Sequence, residues 1–111
     1  MQYLLLIYEN EQRFSKGYDQ AEMGEYQAFG NEFAKNIRGG NALQPTGTAK
    51  TVRVRNGKPS NTDGPFAETK EQLGGYYLIE ATDINEAAKI AAKIPGARFG
   101  SIEVRPIMTF S

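Results

Sequence analysis

Residues 2–8, Gln-Tyr-Leu-Leu-Leu-Ile-Tyr, constrain this chain more than any other segment. Read with the two-residue period of a strand, Leu4, Leu6 and Tyr8 fall on one side and Tyr3, Leu5 and Ile7 on the other. Both sets are apolar, so the strand needs cover on both faces of its sheet. A chain of 111 residues supplies one domain and few elements with which to provide that cover.

The other elements follow from period and punctuation. Residues 9–18 are polar, contain Gly17 and read as a loop. Asp19 to Arg38 reads as a helix. Asp19 with Glu22 resembles an acidic capping box, and Met23, Tyr26, Phe29, Phe33 and Ile37 form its apolar stripe. Gly24 and Gly30 interrupt it, which suggests a close approach to a sheet, and Gly39-Gly40 supplies the stop. Residues 41–45 read as a short, weak strand. Residues 50–55 alternate, and Asn56-Gly57 signals a tight hairpin pairing Arg55 with Lys58, Arg53 with Ser60, Val52 with Asn61 and Lys50 with Asp63. That register places Val52, Val54 and Asp63 on one face and Arg53 and Arg55 on the other. Gly64 to Leu73 is irregular. Gly75 to Ala81 is a second strongly apolar strand. Asp83 and Glu86 open a second helix with Ile84, Ala87, Ala88, Ala91 and Ile94 on its apolar face, stopped by Pro95-Gly96. Residues 101–107 form the last strand, with Pro106 at an edge or beyond the ladder.

The resulting order is β-α-β, a hairpin, then β-α-β. It predicts an α+β fold: a ferredoxin-like split βαβ with an inserted β-hairpin. Two helices cover one face of a four-stranded sheet. The second apolar face calls for a further layer, and a second copy of the chain is the simplest source. A homodimer is therefore expected, forming a dimeric α+β barrel.

Composition narrows the function. Lysine plus arginine and aspartate plus glutamate each total 13, so the formal net charge is zero and no basic excess points to nucleic acid or an anionic membrane. The longest apolar run, Leu4 to Ile7, is too short to span a bilayer, and no signal-peptide pattern opens the sequence, so a cytoplasmic protein is expected. Without cysteine there is no disulfide or thiolate chemistry. Without histidine, the residue best suited to proton transfer near neutral pH and the commonest nitrogen ligand for zinc is missing. No close carboxylate cluster suggests a metal site, and no metal or other cofactor is expected.

Asp63-Gly64-Pro65-Phe66-Ala67-Glu68, followed by Thr69-Lys70-Glu71-Gln72-Leu73-Gly74-Gly75-Tyr76-Tyr77, is the segment most suggestive of a site. A carboxylate, glycine, proline and aromatic ring in succession impose one defined irregular path. Asp63 is the leading catalytic candidate: partly buried, its carboxyl would have a raised pKa and serve as acid or base. The plainer reading is a turn aspartate that caps the amides beyond Pro65. Phe66 is a candidate pocket wall or an apolar anchor for the loop. Arg53, with Arg55, is a candidate fork for an anion or part of an exposed strand face. Tyr76 and Tyr26 are candidate ligand-binding hydroxyls, or core and interface rings.

The same run resembles the motif that names the DGPF proteins, a branch of the YCII-related family. Thr51-Val52-Arg53-Val54-Arg55, Lys70 to Glu80, Ile94-Pro95-Gly96-Ala97-Arg98 and Ser101-Ile102-Glu103-Val104-Arg105-Pro106 extend the resemblance over most of the chain, most weakly over residues 9–40. The resemblance implies a dimeric α+β barrel. It also implies a link to an extracytoplasmic-function sigma factor, beside which some such proteins are encoded. The His–Asp pair proposed for the wider family does not transfer to a chain without histidine. Two functions follow as expectations: a small-molecule-binding or enzymatic homodimer with a cleft near residues 63–66, or a non-enzymatic regulatory module.

Overall fold

The computed structural model describes residues 1–110. Its strands are β1 (Gln2–Glu9), β2 (Ile37–Ala42), β3 (Lys50–Arg55), β4 (Lys58–Asp63), β5 (Gln72–Glu80) and β6 (Ser101–Pro106), and its helices are α1 (Gln20–Glu32) and α2 (Ile84–Ala91). Four strands form one sheet in the order β2-β5-β1-β6, with every neighbouring pair antiparallel. The other two, β3 and β4, form a separate hairpin.

The two-sided strand occupies the interior of the sheet, between β5 and β6. Tyr3, Leu5, Ile7 and Glu9 are buried on the face that carries the helices, whereas Leu4, Leu6 and Tyr8 on the opposite face are half-buried. Ile79 of β5, opposite Tyr3, joins Phe29 of α1 and Ala87, Ile90, Ala91 and Ile94 around α2 to complete the core. Leu5, Ile79 and Ile94 are enclosed, each burial being worth about 1.5–3 kcal/mol. Leu6 pairs with Tyr76 and Leu4 with Leu78 on the open face, which no element of this protomer covers.

Both helix caps follow the sequence, but Glu22 does not. Asp19 accepts from the Ala21 amide at 2.9 Å, and Asp83 accepts from the Glu86 amide at 2.8 Å while Glu86 accepts from the Thr82 amide at 2.9 Å. Glu22 instead turns away to Arg13. The first helix ends at Glu32, six residues before the expected Arg38, with Phe33 as its C-cap. Ile37 opens β2, and Gly39 and Gly40 lie within that strand, where they were expected to stop the helix. The reason is contact with β5: a Cβ at Gly40 would lie 2.6 Å from the Tyr76 carbonyl and 2.9 Å from the Tyr77 ring. The expected close approach at Gly24 and Gly30 is absent, since a Cβ at either meets nothing within 4 Å. In α2 the inward face is Ala87, Ile90 and Ala91, with Ile94 just beyond; Ile84 and Ala88 are exposed.

The hairpin has the expected register, from Arg55 opposite Lys58 to Lys50 opposite Asp63. Asn56 (φ 53°) and Gly57 (φ 74°) both take the left-handed backbone of a tight hairpin turn. Its setting is the surprise. It pairs with no strand of the main sheet and projects from it, so the molecule extends 47 × 46 × 19 Å with a radius of gyration of 15.9 Å, against about 13 Å for a compact chain of similar length.

Candidate functional site

The residues expected to form one site lie in three places. Asp63 is at the base of the projecting hairpin with its side chain 89% exposed, paired with Lys50 at 3.1 Å. The expected partial burial of Asp63 is therefore overturned: the hairpin face that carries it has nothing packed against it. Nor does Asp63 bond the amides beyond Pro65. The turn is held by its backbone, with the Gly64 amide donating to the Ala49 carbonyl at 2.7 Å and the Thr51 hydroxyl to the Gly64 carbonyl at 3.0 Å. Gly64 has φ +102°, a conformation that disfavours side chains. Phe66 is 79% exposed, with the Arg53 guanidinium 5.5 Å from its ring centre. These two candidates meet each other but enclose nothing. Tyr76 lies on the open sheet face, its hydroxyl accepting from the Asn41 amide nitrogen at 3.1 Å.

Tyr26 belongs to a different and richer cluster. Glu9, the last residue of β1, continues the buried set of Tyr3, Leu5 and Ile7 into the core. Such a carboxylate needs partners. The next segment, a 3₁₀ turn over Glu11–Phe14 capped by Asn10, brings Arg13 back over it. One guanidinium nitrogen of Arg13 donates to Glu9 Oε2 at 2.9 Å and another to Glu22 Oε1 of α1 at 2.7 Å. One cation thus bridges two buried carboxylates, leaving a net negative charge. The guanidinium also lies 3.9 Å from the Phe99 ring centre and 5.0 Å from that of Phe14. Phe14 in turn lies 5.0 Å from Tyr18, and Phe99 and Tyr18 are exposed, so an aromatic rim surrounds the cation.

A second 3₁₀ turn, Pro95–Arg98, closes over the carboxylate. A Cβ at Gly96 would overlap Glu9 Oε1 and stand 2.8 Å from the Tyr26 hydroxyl, while one at Gly100 would overlap the Tyr8 carbonyl and stand 3.0 Å from Glu9 Cγ. Glycine at these positions lets the turn lie directly on Glu9. The Tyr26 hydroxyl accepts from the Gly96 amide at 3.2 Å. Glu9 Oε1 is buried with no hydrogen-bond partner. Burial is the largest cause of a raised Glu9 pKa; Arg13 opposes it, and Glu22 and Glu71 reinforce it. Burial, with the negative field of Glu9, also pushes the Tyr26 phenol above its ordinary value.

The sequence run around Asp63 reaches this cluster only by its far end. Gln72 pairs across the sheet with Glu9, and Glu71 accepts from the Ser101 hydroxyl at 2.8 Å. Sequence reasoning missed Glu9, Arg13 and Glu22, reading 9–18 as a plain loop. The available signal was the odd-numbered alternation of β1, which carries a carboxylate inward at position 9, with an arginine four residues later.

An antiparallel sheet ordered β2-β5-β1-β6 with two helices on one face defines a ferredoxin-like α+β domain, here carrying a buried Glu-Arg-Glu cluster and a projecting hairpin. The chain belongs to the YCII-related family, whose YCII-related domain spans residues 1–111. It is 37% identical over 117 residues to an uncharacterized protein of Rhizobium meliloti (strain 1021), covering 99% of this chain and 94% of the relative. Its fold is similar to that of 5-chloro-2-hydroxyhydroquinone dehydrochlorinase from Burkholderia phenoliruptrix AC1100, solved in complex with 2,5-dihydroxybenzoquinone: TM-score 0.61, 13% identity, 97% of this chain and 94% of that one. At that identity the likeness concerns the fold. Among the described residues, no helix is long and apolar enough to cross a membrane.

Proposed function

We propose that the protein is a cytoplasmic homodimer that binds a small hydroxylated planar molecule at the Glu9–Arg13–Tyr26 cluster, with Glu9 as its proton-exchanging group. The observation that carries this reading is Glu9 Oε1, a buried carboxylate oxygen without a donor. Leaving such an acceptor unpaired costs about 1–3 kcal/mol, which a ligand hydroxyl recovers if the Pro95–Arg98 turn that lies on it is displaced. A raised pKa suits a group that must take a proton and return it, which is the chemistry lost with histidine. The rim of Phe14, Tyr18 and Phe99 offers ring faces for stacking, and Arg13 offers charge to a developing oxyanion. That a protein of similar fold was solved with a dihydroxyquinone agrees with this ligand class. The open apolar face around Leu6, Tyr76 and Leu78 supports the homodimer, because a second copy would cover it symmetrically.

Calorimetric titration with hydroxylated quinones and phenolic acids tests the site. Glu9→Gln is expected to weaken a binder of the natural protein about tenfold or more, the loss of one charge-assisted hydrogen bond. No binder in that class, or equal affinity in the variant, refutes it. Sedimentation equilibrium tests the assembly separately, and a monomer at micromolar concentration refutes the homodimer.

A further inference from the structure

We propose that the segment from Pro95 to Gly100 is a lid that opens as a unit to uncover Glu9, latched shut by the exposed Arg98–Glu25 ion pair. This inference rests on the binding reading above and adds how its site is reached.

The first observation is what lies beneath the turn. Glu9 is buried, and its Oε1 has no donor. The backbone at Gly96 lies against that oxygen and the Tyr26 hydroxyl, and the backbone at Gly100 lies against the Tyr8 carbonyl and Glu9 Cγ. Both approaches are too close for a Cβ. A ligand hydroxyl therefore meets the orphan oxygen only after the turn has lifted.

The second observation is that the turn is organised to lift in one piece. Its amides bond within the segment: Ala97 donates to the Ile94 carbonyl at 2.9 Å, Phe99 to the Gly96 carbonyl at 3.1 Å and Gly100 to the same carbonyl at 2.8 Å. Both ends are fixed. Ile94 is enclosed in the core, and Ser101 sits opposite Tyr8 with its hydroxyl bonded to Glu71. Between those ends, side chains hold the turn to the body. The Gly96 amide reaches the Tyr26 hydroxyl at 3.2 Å, the Phe99 ring lies on the Arg13 guanidinium, and Arg98 meets Glu25 of α1 at 2.7 Å. Arg98 and Glu25 are 55% and 45% exposed, and an ion pair so placed contributes little. Beside the root of the turn, a cleft of about 310 Å³ bordered by Glu25, Phe29, Ile94, Pro95 and Arg98 leaves it unpacked on that side. A short segment held by surface contacts opens at far lower cost than the whole fold.

The double variant Glu25→Gln, Arg98→Gln removes the latch without changing net charge and leaves Glu9, Arg13 and Tyr26 in place. Amide hydrogen exchange at Gly96, Phe99 and Gly100 is expected to quicken by one common factor of about two to five, the scale of an exposed ion pair, while Leu5 and Ile79 keep their rates. In the natural protein, about 0.5 M sodium chloride screens the pair and should quicken the same three amides. Gallic acid, a hydroxylated planar probe, should bind the double variant more tightly by the same factor in calorimetric titration, because a larger fraction of the protein is open to it. Unchanged exchange, unequal factors at the three amides, or equal acceleration throughout the sheet overturns the lid. Gallic acid binding both proteins with equal affinity also overturns it and leaves binding at Glu9 standing. Exchange that quickens as expected, with gallic acid binding neither protein, supports the lid and counts against the binding reading.

Discussion

Replacing Glu9 with glutamine isolates the energetic signature of the buried cluster. Burial raises the Glu9 pKa in the folded protein, against the lowering influence of Arg13, and Glu22 and Glu71 add to the rise. The fold therefore binds the Glu9 proton more tightly than the unfolded chain does. The stability this provides is fully present below the unfolded carboxylate value and is lost as pH rises through the folded one. Each unit of elevation is worth about 1.4 kcal/mol. Glutamine is neutral throughout and keeps one acceptor oxygen, so Glu9→Gln loses nothing further over that range. The stability difference between variant and natural protein should thus move in the variant's favour as pH rises from about 4 to 8, by about 1.4 kcal/mol per unit of elevation. Carboxylates other than Glu22 and Glu71, which are coupled to Glu9, are common to both proteins and cancel in the comparison. Urea unfolding of both proteins across that range measures the difference. A constant difference, or one moving against the variant, would refute the view that Glu9 is a desolvated carboxyl.

Three further perturbations probe the surroundings. Tyr26→Phe removes the acceptor of the Gly96 amide and should destabilise the protein by about 1–3 kcal/mol in the same unfolding assay; an unchanged midpoint would show that water replaces the hydroxyl. Gly64→Ala meets no atom within 4 Å but must hold φ +102°, so it should cost about 1–2 kcal/mol, read as faster exchange of the Gly64 amide bonded to Ala49; unaltered exchange would argue against a strained turn. Asp63→Asn breaks only the exposed pair with Lys50 and should shift stability by less than about 0.5 kcal/mol, while a loss of several times that would reveal contacts made in an assembly.

What the sequence determined by itself is local. Asn56-Gly57 and a two-residue period set the register of β3 against β4 as far as Lys50 and Asp63, because turn chemistry acts over adjacent residues. Asp19 and Asp83 were legible as caps for the same reason. The two-sided pattern of residues 2–8 announced a strand that needs cover on both faces, since period two ties face to position; the helices cover one face, and the other stays open in the protomer. What only the tertiary structure decided depends on residues far apart in the chain. Ile37 to Ala42 became strand because β5 offered a partner and Gly40 let Tyr77 lie across it, which local propensity does not see. The exposure of Asp63 followed from the direction in which the hairpin leaves the sheet. The Glu9 cluster required a 3₁₀ turn to return Arg13, α1 to present Glu22, and Gly96 and Gly100 to close the lid almost a full chain length away. A carboxylate's burial is set by everything that surrounds it, so its chemistry appears only once the chain has folded.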